Sequence, residues 1–472
     1  MRIPRVIIAG LNGGSGKTIV SLGVSRAWAL AGRNIKPFKK GPDYIDARWL
    51  ALATENQATN LDPFLVPQNV MQALFWTAAQ GYDGALIEGN RGLFDGKDVT
   101  GSCSTAEVAR LLNTPVVLVM NCTKMTRTAA AILSGMVNFE QGLNIAGVVL
   151  NNTATDRHRA ILRSSIEQYT DVPVLGALPR MCENPIPERH MGLWSDTEMD
   201  DVAGPLNAVA AYLRKHVDVD RIWDLAAAAP EQKSVDSVWD LLPVSSRAKP
   251  DSASVRIGYV RDAALWFYYE ENLEALRRAG AELVELSLLD DAEWPELDGL
   301  YLGGGFPETL AEKLAANEAA RNRVRRFSEM NMPVYAECGG FMYLGAMLRY
   351  EGREYPMSGV FPVCTTIHSR PQGLGYVEAS VVEENPFHAK GTQVRGHEFH
   401  YSRAEALAGH KVCYSLKMER GEGMGADADG LVVRNTFASY THLFALGEPH
   451  WALNFVNAAR EYKSHRTSNP LK

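Results

Sequence analysis

The chain has 472 residues, 46% of them hydrophobic and 22% charged, and a formal net charge of −7. At about 100–200 residues per domain that length predicts two to four domains with ordinary globular cores. The acidic balance and the lack of a basic tract argue against nucleic acid as a partner, and no apolar run reaches the roughly 18 residues of a membrane span.

The first half alternates short apolar runs with helical patterns. Val6–Ala9, Ala85–Ile87, Val116–Met120, Ala146–Leu150 and Val174–Leu178 are Val-, Ile- and Leu-rich, and each is followed within two residues by Gly, Asn or Pro. The first of them starts so early that a cleavable signal is not expected. Between the strands, Ile19, Leu22, Val24, Trp28 and Leu30 recur at helical spacing, with Gly32 placed to cap the helix. This order predicts a parallel sheet wrapped by helices.

The first strand runs into Gly10-Leu11-Asn12-Gly13-Gly14-Ser15-Gly16-Lys17-Thr18. Glycines let the backbone curl its N–H groups into one concavity, and a helix start adds positive potential, so the segment reads as a phosphate loop. Gly10, Asn12, Gly13, Gly14, Ser15 and Gly16 line it, Lys17 reaches terminal phosphates and Thr18 offers its hydroxyl to Mg²⁺. Five residues follow Gly10 before Gly16-Lys17-Thr18, a spacing that resembles the dethiobiotin-synthetase-like group of P-loop enzymes.

Two acidic segments follow at strand ends, Lys39-Lys40-Gly41-Pro42-Asp43-Tyr44-Ile45-Asp46 and Glu88-Gly89-Asn90-Arg91-Gly92-Leu93-Phe94-Asp95-Gly96. Carboxylates there face the ligand crevice of a parallel sheet, and Asp43, Asp46 and Glu88 are metal-ligand candidates beside Thr18. Read alone, an Asp-x-x-Asp is more often a turn or helix cap, and Phe94-Asp95-Gly96 reads equally as a turn. Asn151, after the strand 146–150, stands where this class recognises the base, or simply ends a strand.

The pattern lapses between about 223 and 254, in a helix and a Pro- and Ser-containing linker. The partition is therefore 1–228 for the P-loop domain, 229–253 for the linker and 254–460 for a second α/β domain, both domains doubly wound. A strand restarts at Val255–Val260, and the alternation continues through Leu300–Leu302 and Val334–Ala336. Val334-Tyr335-Ala336-Glu337-Cys338-Gly339-Gly340 is a strand, a sharp turn and a helix start, the elbow of a nucleophile with cysteine in place of serine. A thiol at a helix N-terminus is expected to have a lowered pKa. His442 is the candidate base. Gly305, Phe306 and Gly339 offer backbone N–H groups for an oxyanion hole. Many related glutaminases place Glu two residues after the His, but residue 444 is Phe, so a Cys338–His442 dyad is expected and its third member stays open. The other cysteines, at 103, 122, 182, 364 and 413, lack zinc-ligand spacing and read as reduced thiols in a cytoplasm.

Together these stretches resemble the cobyrinate a,c-diamide synthases over nearly the whole chain. The resemblance rests on Gly10–Thr18, Lys36–Asp46, Asn60-Leu61-Asp62, Gly92–Gly96, Phe267–Leu273, Gly303–Glu308, Glu337–Gly340 and Gly396-His397-Glu398-Phe399-His400-Tyr401-Ser402. It implies an N-terminal P-loop domain and a C-terminal class I glutamine amidotransferase domain. It also implies a reaction: glutamine is hydrolysed at Cys338, ATP with Mg²⁺ phosphorylates a peripheral carboxylate of a corrin ring, and ammonia displaces the phosphate. A macrocycle edged with carboxylates needs cations and an apolar wall. Lys39, Lys40, Tyr44, Arg91 and Asp95 are the substrate candidates, with Trp49, Phe64, Phe94 and, across the domain interface, Phe267, Tyr268 and Tyr269 as further wall. A homodimer is one assembly this allows. The glycine-rich loop and Phe444, where a second His often stands, depart from typical members, and sirohydrochlorin, sirohaem or nickel-sirohydrochlorin are the alternative substrates. The loop also resembles that of partitioning ATPases, which are regulatory switches; they usually carry a Lys where this chain has Asn12, and they lack a glutaminase half.

Overall fold

The computed structural model describes residues 2–181, 185, 186, 188, 189, 192, 193, 201–232, 236–243 and 254–468. Cys182 and residues 233–235 and 244–253 of the expected linker lie outside the described residues. The chain separates into two compact units, 1–241 and 242–472, except that residues 64–66 group with the second.

In the first unit seven strands form one parallel sheet. They are β1 (Arg5–Gly10), β2 (Ile35–Lys40), β3 (Thr59–Leu61), β4 (Gly84–Gly92), β5 (Val116–Asn121), β6 (Ile145–Thr153) and β7 (Val174–Pro179), in the order β3-β2-β4-β1-β5-β6-β7. All five strands read from the sequence are present. The near-continuous apolar runs follow from burial on both faces: β1 and β2 are buried along their whole length. Helix α1 (Lys17–Leu30) turns Val20, Leu22, Val24, Ala27 and Trp28 inward, and Gly32 follows its end at φ 80°, the left-handed conformation expected of a cap. It packs on α2 (Tyr44–Thr54) and on the helix Ala203–His216. The connections from β1 run to one side of the sheet at β2, and later strands fill the other, so the carboxyl end of β1 sits where the winding reverses.

The second unit holds a ten-stranded sheet. Its parallel half orders Ala281–Leu286, Val255–Val260, Gly299–Leu302, Val334–Glu337 and Thr436–Ser439. The sheet then continues antiparallel through Ala428–Val433, Cys413–Arg420, Gly373–Val381, Gln393–His400 and His442–Leu443. The α/β alternation read from the sequence thus covers only the start of this unit. From about residue 345 the chain is strand-rich, and alternating patterns of half-buried strands were not separated from loops. The strands Thr436–Ser439 and His442–Leu443 sit at opposite ends of the antiparallel run but only two residues separate them. At about 3.5 Å per residue the run must curl back on itself, which brings its last strand beside the parallel half.

Candidate active site

In the first unit the loop after β1 is laced by its own side chains. The Asn12 N–H donates to Ser15 Oγ at 3.0 Å, and that hydroxyl donates to Asn12 Oδ1 at 2.6 Å. Asn12, Gly13 and Gly14 stay exposed, and a Cβ on Gly13 or Gly14 would meet nothing within 4 Å. Gly16 is different: it sits at φ 90°, and a Cβ there would lie 2.1 Å from Asn151 Nδ2. That amide donates to the Ser15 carbonyl at 2.9 Å, so Asn151 supports the loop itself. Gly10 also lacks room, with a Cβ position 2.8 Å from the Asn12 carbonyl.

Behind the loop lies a buried charge cluster. Thr18 donates its hydroxyl to Glu88 Oε1 at 2.7 Å, and Lys17 Nζ lies 3.8 Å from the same oxygen. Lys39 Nζ, fully buried, bonds Asp46 Oδ2 at 2.6 Å, Glu88 Oε1 at 3.2 Å and the Gly89 carbonyl at 3.2 Å. Burial opposes the charge on Lys39, but Asp46, Glu88 and Asp43 outweigh it and hold the ammonium above the usual lysine range. Burial likewise opposes the Asp46 carboxylate, and Lys39 and Lys17 overcome it, holding its pKa below the ordinary value.

This placement gives each candidate its surroundings. Asp43 caps α2, accepting from the N–H groups of Ile45 and Asp46 at 2.8 and 3.0 Å, and burial together with the Asp46 charge raises its pKa to about 6. Among the described residues no three His, Cys, Asp or Glu side chains form a metal cluster, and of the four metal candidates only Thr18 and Glu88 face one another directly. Lys39 and Lys40, two of the candidate substrate cations, are both buried, and Lys40 Nζ lies 3.7 Å from Asp62. The carboxylates at these strand ends require buried counter-charges, a demand invisible in a linear motif. Asp95 closes a turn, accepting from the Gly92 N–H at 2.8 Å. Tyr44, Trp49, Phe64, Phe267, Tyr268 and Tyr269 are core residues, while Phe94 is half-buried against Phe139 and Arg91 is exposed. The motif residues Asn60 and Asp62 had no role in the sequence; Asn60 Nδ2 holds the turn before α2 through the carbonyls of Gly41 and Asp43, at 2.8 and 3.0 Å.

In the second unit, Cys338 ends the strand Val334–Glu337 and starts the helix Gly339–Leu344 at φ 45° and ψ −100°, a strained elbow. Its own N–H is fixed by the Ser439 carbonyl at 2.7 Å. Gly339 and Gly340 are required by crowding: Cβ atoms there would lie 2.8 Å from the Gly305 nitrogen and 2.4 Å from the Leu302 carbonyl. The Gly303 N–H donates to Tyr268 Oη at 2.7 Å, and the Gly340 N–H to the Gly303 carbonyl at 3.0 Å. Gly304 and Gly305 pair antiparallel with Phe267 and Leu265. The triple-glycine turn and the elbow therefore meet. His442 joins them, since a Cβ on Gly304 would lie 2.4 Å from its Cε1.

The thiol departs from expectation. Burial, then the Glu308 carboxylate, pushes the Cys338 thiol well above its ordinary range, and the Gly339 N–H at the helix start only partly offsets this. A helix of six residues buried among carboxylates does not make a thiolate. The proton must be taken by a base.

The loop carrying that base is clamped from three sides. Asp429 accepts from the N–H groups of Tyr440 and Thr441 and from the Thr441 hydroxyl, at 3.0, 3.1 and 2.8 Å. Asn272 donates to the Leu443 carbonyl at 2.9 Å and accepts from the Ala445 N–H at 2.7 Å. Glu337 Oε1 accepts from the Leu443 N–H at 3.2 Å, and its Oε2 lies 3.4 Å from His442 Nδ1. His397 stacks on His442 with ring centroids 4.8 Å apart, and His400 stacks on Tyr440 at 3.7 Å. Phe444 packs edge-on against Tyr269.

Residues 4–183 match the model of an AAA domain, and residues 256–450 match that of the CobB/CobQ-like glutamine amidotransferase domain. The chain is 41% identical over 96% of its length, and 96% of the relative's, to the cobyrinate a,c-diamide synthase of Magnetococcus marinus. The synthases of Archaeoglobus fulgidus and Dehalococcoides mccartyi strain 195 are 39% and 38% identical, each over 98% of this chain and 99% of their own. The chain belongs to the cobyrinate a,c-diamide synthase family. Like its relatives it joins an ATP-binding P-loop domain to a glutamine amidotransferase domain, an architecture of glutamine-dependent ligases that a partitioning switch lacks. No described helix is long and apolar enough to cross a membrane.

Proposed function

We propose that this chain amidates the a and c acetate carboxylates of cobyrinate, using ATP and glutamine. The observation that carries the reading is near-full-length identity to named cobyrinate a,c-diamide synthases, joined to a P-loop and a cysteine elbow in one chain. In the second unit Cys338 attacks the glutamine carboxamide. Its proton passes to His442 and then to the departing ammonia, and water releases glutamate from the thioester. The Gly339 N–H and the Gly305–Phe306 turn receive the oxyanion. In the first unit, residues 10–18 wrap the phosphates of ATP and Lys17 neutralises them as the γ-phosphoryl group moves to the substrate carboxylate. The acyl phosphate then yields to ammonia, leaving a carboxamide and phosphate.

Mg²⁺ fits the residues present. The buried Glu88 Oε2 has no hydrogen-bond partner in the structure, and the Thr18 hydroxyl bonds the other oxygen of that carboxylate. Thr18 and Glu88 would hold the ion, which when bound neutralises phosphate charge. Arg91 is the exposed cation available to a substrate carboxylate, and Phe94 with Phe139 the half-open apolar surface nearest it in sequence.

The substrate is tested by offering cobyrinate, sirohydrochlorin, nickel-sirohydrochlorin and sirohaem with Mg-ATP and glutamine. Mass spectrometry should find two successive losses of about one mass unit on cobyrinate, because each O–H becomes N–H₂. The same double loss on another macrocycle alone reassigns the substrate, and no change on any of them, with glutamine still hydrolysed, removes the tetrapyrrole reading.

A further inference from the structure

The carboxylate two residues after the histidine is missing in this chain, because Phe444 fills that place against Tyr269. A neutral imidazole that must accept a thiol proton through Nε2 needs its other nitrogen held as N–H toward an acceptor. The residue before the nucleophile supplies one. Glu337 is the last residue of the strand Val334–Glu337, and strand alternation puts it on the same face as Tyr335, away from Ala336. Its side chain is fully buried; Oε1 takes the Leu443 N–H and Oε2 faces His442 Nδ1 at 3.4 Å. We propose that Glu337 is the positioning residue of the glutaminase site, fixing the tautomer and orientation of His442 from the strand that carries the nucleophile.

Other acidic groups near the site are committed elsewhere. Asp429 spends its oxygens on the N–H groups of Gly430, Tyr440 and Thr441 and on the Thr441 hydroxyl. Glu308 acts on the Cys338 thiol. His397, stacked on His442, has its Nδ1 3.5 Å from Tyr269 Oη, and burial and then His442 hold its pKa well below the ordinary value, so it adds no charge beside the base. Tyr335 and Tyr301 lie behind Glu337 as neutral phenols, Tyr301 in reach of Asn272 Nδ2 at 3.4 Å. Asn272, which binds Leu443 and Ala445, thus pins the same segment that Glu337 pins.

The inference rests on the glutaminase reading of the second unit. Its test is Glu337→Gln in the full chain, following glutamate release. The Gln carbonyl can still accept from Leu443, but its –NH₂ would donate to Nδ1 and place the imidazole proton on Nε2, the nitrogen that has to receive the thiol proton. We expect kcat to fall by about 10²–10⁴-fold with KM for glutamine little changed. Glu337→Asp keeps an acceptor for Nδ1 and should recover part of the kcat that Glu337→Gln loses. Ammonium-driven synthesis should persist, showing an intact fold. A KM for glutamine that rises together with the loss of kcat, or an Asp variant no faster than the Gln variant, would mean a structural role and overturn the proposal, as would retention of glutamine turnover by Glu337→Gln. If the Gln variant does not fold, Glu337→Asp keeps the carboxylate one methylene further away, and a folded Asp variant whose KM for glutamine rises with its loss of kcat decides against the proposal too. A wild-type chain without glutaminase activity would instead defeat the glutaminase reading itself.

Discussion

Residues 10–18 and 337–339 each lead a parallel strand into a helix, yet Asn12, Gly13 and Gly14 are exposed while every residue from Val334 to Leu344 is buried. At the first corner the helix start can act as an anion site, because its N–H groups stay open to a phosphate. At the second, the same backbone plan sits among Glu308, Glu337 and Asp429, and the thiol is harder to ionise than a free cysteine. A helix N-terminus thus has no fixed chemical meaning. Burial and neighbouring charge decide whether it binds an anion or merely aims a neutral nucleophile. The corners also differ in where their counter-charges lie. Lys39 neutralises Asp46 and Glu88 from within the first unit, whereas among the described residues of the second no lysine is buried, and Glu337 at the elbow lies beside the His442 imidazole.

The largest effects should separate the two corners cleanly. Cys338→Ser should lower glutamine-dependent synthesis by on the order of 10³-fold or more while leaving synthesis from ammonium near wild type. Lys17→Ala should stop synthesis from either nitrogen source, with glutamate release persisting. Assays of both variants with both donors form a square, and ammonium-driven synthesis by Lys17→Ala would remove this lysine from phosphoryl transfer.

A middle-sized effect tests the packing of the open corner. Gly14 and Gly16 both have positive φ, at 76° and 90°, but only Gly16 faces a neighbour, Asn151. Gly14→Ala should cost the left-handed strain alone, about 1–2 kcal/mol. Gly16→Ala should also displace the Asn151 amide and weaken nucleotide binding by about a further 1–2 kcal/mol. Calorimetric titration with a non-hydrolysable nucleotide measures the gap, and equal affinities would mean that Asn151 does not hold the loop.

An effect that appears only on changing the pH, and on stability with no loss of catalysis, concerns burial in the second unit. Burial raises the Glu448 pKa to about 7 from an ordinary 4.5. A raised carboxylate contributes stability that is full below the unfolded value and is lost as pH rises through the folded one, here between about 4.5 and 7. Glu448→Gln should therefore melt with the wild type near pH 5 and above it near pH 8, by up to about 3 kcal/mol of stability. A melting difference that stays flat across this range would contradict the burial effect.

What the sequence determined by itself was the chemistry-bearing skeleton: the strand–loop–helix at Gly10–Thr18, the elbow at Cys338, the triple-glycine turn and His442. These are local patterns in which backbone conformation dictates residue type, so Gly16 at φ 90° or Gly340 against the Leu302 carbonyl leaves a mark in one short stretch. The parallel strands were legible for a related reason, since burial on both faces demands unbroken apolar runs. The antiparallel half of the second unit was not, because its strands are half-exposed and their pairing joins distant segments. Charge partners were decided only by tertiary structure. In the sequence Lys39 and Lys40 are cations without partners, and only the fold brings Asp46, Glu88 and Asp62 beside them; Glu337 is a strand residue until the curled sheet returns His442 to its carboxylate. Electrostatic energy depends on separation through space and on burial, and neither is a property of position along the chain.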